Sequence, residues 1–158
     1  AQEAGLIDLL ARAIRPITSR LFKDVPPDHP AMGAMVLNIA ANWLGLGNAA
    51  TPFGIKAIEE LQKINPSKDT ATDAQVLFLA INTASITLIP ASVIAIRVST
   101  NSTDPFAIIG TAIFASSVAT VVAVIVAKLL SRIPFFKKTN PHLVANAVSD
   151  GDNKSTGE

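Results

Sequence analysis

Asparagine is a costly residue to set among apolar neighbours, because its amide carries two N–H donors and an acceptor oxygen that hydrocarbon leaves unpaired. This sequence places Asn38, Asn42 and Asn48 in the stretch NIAANWLGLGNAATPFG, inside a run that carries no Asp, Glu, Lys or Arg from Pro30 to Ile55. At about 100° per residue, Asn38, Asn42 and Gly45 share one narrow stripe while Ile39, Trp43, Leu44 and Leu46 point elsewhere. The polar stripe must therefore face protein or water. Amides at that spacing can help to bind a small polar or anionic group, or they can serve as glue between helices at about 1 kcal/mol each.

The residues that follow favour a break. Gly45 and Gly47 permit a reversal or a close approach, and Thr51 before Pro52 reads as a new helix start, with Thr as N-cap and Pro in the first helical position. The free amides around Phe53 and Gly54 would then form the positive end of a helix dipole, the device with which discontinuous helices hold polar groups inside membranes. A second polar cluster, Asn82, Thr83, Ser85 and Thr87, stands just before Pro90, which cannot donate to the carbonyl of Ile86 and so interrupts its helix. Two consecutive segments thus pair polar side chains with a helix break, which tips the reading towards binding.

Catalysis finds no comparable support. Glu59 and Glu60 read as a solvated helix face, no Ser, His and Asp arrangement is apparent, and the chain has two histidines and no cysteine. Neither enzymatic activity, nor a metal, nor a cofactor is expected.

The elements that must position these amides follow from composition. In 158 residues, 49% are hydrophobic and 16% charged, and the mean hydropathy is +0.42, on the apolar side of ordinary soluble usage. A net charge of +1 without a basic stripe argues against nucleic acid as a partner. The uncharged stretches 30–55, 74–96 and 105–127 are each long enough for a bilayer core that needs about 20 helical residues. Only the last is continuous, and along it Ala115, Ala119, Ala123 and Ala127 form a small-residue packing stripe beside Ser116 and Thr120.

Ahead of these stretches, Leu6, Leu10, Ile14, Ile17 and Leu21 make one face of an amphipathic helix bent at Pro16, with Arg12, Arg15 and Lys23 mostly away from it. It suits a membrane interface or a surface helix packed on its own protein. Asp28 ahead of Pro30 is expected to cap the next helix, and Thr70 with Asp73 has the spacing of a capping box. Between them Phe53, Ala57, Leu61 and Ile64 form one side of an amphipathic segment that ends at Asn65-Pro66. Basic residues flank the first uncharged stretch on its N-terminal side and the last on its C-terminal side, which calls for an even number of crossings. Three candidates conflict with that unless one is re-entrant; a full span over 31–50 is the alternative. The chain opens at Ala1 without Met, and further helices are expected upstream.

The expected fold is an all-α integral membrane protein, multi-pass in the cell (inner) membrane. Residues 1–29 form the amphipathic helix and Pro-rich linker, 30–133 the membrane domain with a re-entrant or broken hairpin, a discontinuous helix and a long transmembrane helix, and 134–158 a polar disordered tail.

The stretches HPAMGAMVLNIAANWLGLGNAATPFGIKAIEELQ and FLAINTASITLIPASVIAIR closely resemble the spore maturation protein A family, within the membrane proteins that carry a nucleoside-recognition or Gate domain. The resemblance runs from about Ala4 to Leu130. It implies action together with a spore maturation B-like membrane protein; with the two polar helix breaks, the expected role is a transport or gating subunit for a small polar solute, and a second copy of the chain is a further expected partner. Carried over position by position, the substrate-binding set is Asn38, Asn42, Asn48, Thr51, Asn82, Thr83 and Ser85, and the helix-break set is Gly45, Gly47, Pro52 and Pro90. A structural membrane protein that assembles a complex without transporting anything is the alternative. The similarity to the gate regions of ferrous iron transporter B and to concentrative nucleoside transporters is architectural.

Overall fold

A computed structural model describes residues 2–84 and 86–134 together with Pro141, with side-chain surroundings from Leu9 onwards. Ser85 and the rest of the expected tail, His142 included, lie outside the described residues. Among the described residues there are six helices and no strand: α1 (Gln2–Leu21), α2 (Pro30–Trp43), α3 (Gly47–Lys63), α4 (Asp73–Thr83), α5 (Ala91–Ser99) and α6 (Ile108–Arg132).

Helix α1 runs through Pro16 without interruption and packs on α2. Ile14 and Thr18 are buried, and Leu10 and Leu21 half-buried. Ile17 departs from the expected face and lies 59% exposed beside Leu9, because the face that α2 covers is centred on Ile14 and Thr18. The cap on α2 is His29, whose Nδ1 accepts from the Ala31 N–H at 3.2 Å; Asp28 instead points at Arg15, 4.0 Å away. The first helical residue is Pro30, whose missing N–H costs nothing at that position.

Helices α2 and α3 form the most closely packed pair, a hairpin around Ala31, Met32, Met35, Ile39, Ala57 and Leu61. The chain reverses at Gly45 in a Schellman arrangement: the Leu46 N–H donates to Ala41 O, and the Gly45 N–H to Asn42 O. Gly45 has φ +72°, a conformation that only glycine adopts without strain.

The expected helix start at Thr51-Pro52 is not where α3 begins. It starts at Gly47, and Thr51 lies within its second turn, its hydroxyl donating to Gly47 O at 3.1 Å. Asn-Ala-Ala after Gly47 lets the helix wind up directly from the reversal, and Pro52 is close enough to the start to forfeit one bond without breaking it. In the C-terminal part of α3, past the uncharged stretch, Glu60 is buried and not on a solvated face. Lys63, which donates to it at 2.7 Å, holds its carboxyl below the usual glutamate range, with Lys56 4.0 Å away.

Helix α4 starts from a capping box two residues later than expected. Thr72 and Gln75, not Thr70 and Asp73, exchange the two bonds, because the first helical residue is Asp73 and position N3 falls on Gln75. Gln75 also donates to Gln62 at 2.8 Å and accepts from Asn65 at 3.1 Å, which closes the α3–α4 loop. The helix stops at Thr83 and resumes as α5 only at Ala91. Pro90 (φ −77°, ψ 65°) forms an inverse γ-turn in which the Ala91 N–H reaches Ile89 O at 2.8 Å.

Lengths separate the three uncharged stretches. At 1.5 Å per residue α6 measures about 37 Å, whereas α2 reaches about 21 Å and α4 about 16 Å, against about 30 Å of hydrocarbon. Among the described residues α6 is the one helix long and apolar enough to cross a membrane. It packs on α4; Val124 and Ala127 touch the core, Ala115 and Ala119 are exposed, and Phe114, Val121, Val122 and Ile125 face outward.

Candidate functional site

Asn38 is one turn ahead of Asn42 on α2, and it is buried. Its Nδ2 donates to the carbonyl of Ala50 on α3 at 2.9 Å, so one side chain ties the two arms of the hairpin together. Space for it comes from Gly54, where a Cβ would stand 2.8 Å from that nitrogen. Asn42 Nδ2 donates to Asn38 Oδ1 at 3.4 Å and to Asn82 Oδ1 on α4 at 3.0 Å; Asn82 Nδ2 in turn donates to Phe78 O at 2.9 Å. Three amides thus make a relay from α3 through α2 to the end of α4.

The relay ends where two helix breaks meet. The reversal at Gly45 lies against the gap between α4 and α5, so closely that a Cβ on Gly45 would overlap Ile89 O. Within the gap the Leu88 N–H donates to Trp43 O at 2.7 Å, the Thr87 N–H to Ser116 Oγ at 3.2 Å, and Thr120 Oγ1 donates to Ala84 O. Irregular backbone survives away from water only when its polar groups are paired, and α2 and α6 supply the partners here.

Beside the relay is an open cavity of about 490 Å³. Asn38, Asn42, Asn82, Thr51, Gly54 and Glu59 give it a polar side, and Ile55, Ile58, Phe78 and Leu79 an apolar one. Both N–H groups of Asn42 are used, but its Oδ1 has no partner among the described residues, and Asn82 retains one N–H. An acceptor and a donor therefore remain for a guest next to apolar and aromatic wall.

Of the positions expected to bind, Asn38, Asn42, Thr51 and Asn82 line this cavity. Thr83 does not; it is exposed and its hydroxyl donates to Leu79 O at 2.9 Å. Asn48 is exposed on the first turn of α3, away from the cavity. Of the expected break residues, Gly45 and Pro90 sit at the two breaks, Gly47 begins α3 and lines the cavity, and Pro52 is inside α3. Because α3 starts at Gly47, Phe53 and Gly54 are inside the helix and their amides are not a free positive end; Gly54 instead makes room for Asn38. Sequence reasoning missed Glu59 and the break-pairing hydroxyls of Ser116 and Thr120. A signal for Gly54 existed: Ala50 and Gly54 form a small-residue pair, four apart, opposite the pair Asn38 and Asn42. Among the described residues no group of acidic and histidine side chains could hold a metal ion.

Comparison with known proteins bears on this arrangement. The family described as Gate, nucleoside recognition, matches residues 1–101. Spore maturation protein A of Bacillus subtilis (strain 168) is 48% identical over 126 residues, covering 80% of this chain and 64% of that relative. No solved structure matches.

Proposed function

The chain belongs to the Gate family of nucleoside recognition, and from that premise we propose that it is a multi-pass membrane subunit that binds and gates a small polar solute of the nucleoside class. The observation that carries this reading is the Asn42–Asn82 contact at 3.0 Å, made where two helix breaks meet and bordered by a cavity. Asn42 Oδ1 and the spare N–H of Asn82 match the adjacent donor and acceptor on the edge of a nucleobase, the pairing by which amide side chains read bases elsewhere. Phe78 and the aliphatic wall take the base's apolar face, and Glu59 accepts from hydroxyl donors.

In this reading α6 spans the bilayer, the α2–α3 hairpin enters and leaves on one side, and α4–α5 is the discontinuous helix. Both short arms fall below bilayer thickness, which fits re-entry better than a full crossing. A spore maturation B-like protein supplies the other half of the pathway. The chain spans 64% of the length of the relative it matches.

The experiment is uptake of labelled nucleosides into vesicles holding the chain with a B-like partner. Uptake above that of empty vesicles, lost in Asn42→Leu, supports the proposal; its absence for every nucleoside tried overturns it. One observation favours a second reading. The amides already satisfy one another in part, which a purely structural joint between helices also requires, and that reading predicts no solute response at all.

A further inference from the structure

A second cavity, also about 490 Å³, lies at the C-terminal end of α6, between that end, the end of α1 and the start of α4. Lys23, Lys128 and Arg132 line it, together with Asp24, Asp73 and the apolar side chains of Phe22, Val76 and Leu130. Three cations against two carboxylates leave one positive charge. None of the three cationic side chains has an ion pair or hydrogen bond among the described residues. Val76 and Leu130 are 49% and 42% exposed, so the apolar wall opens outward and is not sealed into the core.

We propose that this cavity holds the phosphate headgroup of an anionic phospholipid, with an acyl chain running out over Val76 and Leu130. The inference rests on α6 being a membrane span and is independent of the solute site. If α6 crosses the bilayer, its basic end lies at headgroup depth, where Lys and Arg beside an apolar surface meet lipid phosphate. The single negative charge of one phosphodiester neutralises the surplus of the lining. A soluble anion would match the charge but leave the apolar wall uncovered, which is why the lipid is the occupant chosen.

The test is thermal unfolding of the full chain in neutral detergent with added phosphatidylglycerol, phosphatidylcholine or glycerol 3-phosphate. Phosphatidylglycerol is expected to raise the melting temperature while the other two do not. Each of Lys23→Gln, Lys128→Gln and Arg132→Gln should weaken the apparent affinity roughly fivefold. All three side chains are exposed, so the basal melting temperature should hold in each single variant. Equal stabilisation by phosphatidylcholine, equal stabilisation by glycerol 3-phosphate, or an undiminished response in all the variants would each overturn the proposal.

Discussion

The backbone N–H of Leu88 donates to the carbonyl oxygen of Trp43 at 2.7 Å, so the tip of the α2–α3 hairpin and the gap between α4 and α5 share a main-chain hydrogen bond. A bond of this kind makes the two breaks one structural unit. A change at either should be felt at the other.

Gly45→Ala should be strongly destabilising. The positive φ alone costs roughly 1–3 kcal/mol for a residue with a Cβ, and that Cβ would overlap Ile89 O, which is backbone and cannot step aside cheaply. Thermal melting in detergent checks it; a melting temperature within about a degree of the parent would contradict the contact.

At Gly54 two effects oppose each other. Alanine gains up to about 1 kcal/mol of helix propensity. Its Cβ would also displace the amide of Asn38 from Ala50 O, and the loss of that buried bond costs on the order of 1–3 kcal/mol. Gly54→Ala should therefore melt at or somewhat below the parent temperature while losing the solute response. Clear stabilisation with the response intact would show that Asn38 is free to move.

Ser116→Ala and Thr120→Val remove the hydroxyls that pair with the gap at Thr87 and Ala84. Both residues are only half-buried, so about 1 kcal/mol each is expected, the lower end of the cost of an orphaned polar group. Hydrogen exchange at Thr87 reads the first locally: its amide should exchange faster in Ser116→Ala and stay protected in Ser117→Ala.

Stability in acid should depend on Glu60. Its carboxyl is held below the ordinary value of 4.5, first by the bond from Lys63, so the folded state binds that proton more weakly than the unfolded one. The resulting stabilisation is present above about pH 4.5 and is lost as pH falls through the lower folded value. Glu60→Gln should flatten the melting temperature across that window, and an unchanged acid profile would refute the assignment.

How much of this was legible in the sequence depends on the range of each interaction. Helix α6 and the interruption at Pro90 were readable because both are local: one is an unbroken apolar run, the other a missing N–H. The stripe shared by Asn38 and Asn42 followed from helical periodicity. Helix starts shifted by one to five residues, to caps at His29, Thr72 and Leu46, because local patterns offer more than one start and tertiary packing chooses among them. What one-dimensional reading could not supply was the pairing of Asn42 with Asn82, 40 residues apart, or of Thr120 with Ala84, 36 apart. The asparagines announced that they needed partners; which partners they found is a property of the fold. The fold also leaves no gap between Asn42 and Asn82, so the proposed solute would sit beside that pair or part it.

Trp43, the only tryptophan, stands at the C-terminal end of α2 next to Asn42, where the two breaks join. Its emission is therefore a built-in reporter of the junction, and titrating the full chain with uridine and adenosine shows whether a nucleoside binds there. A saturable change in Trp43 emission with at least one nucleoside, absent in both Asn42→Leu and Asn82→Leu variants that melt cooperatively, is the predicted result. No saturable change with either nucleoside, or the same change in both variants, would contradict it.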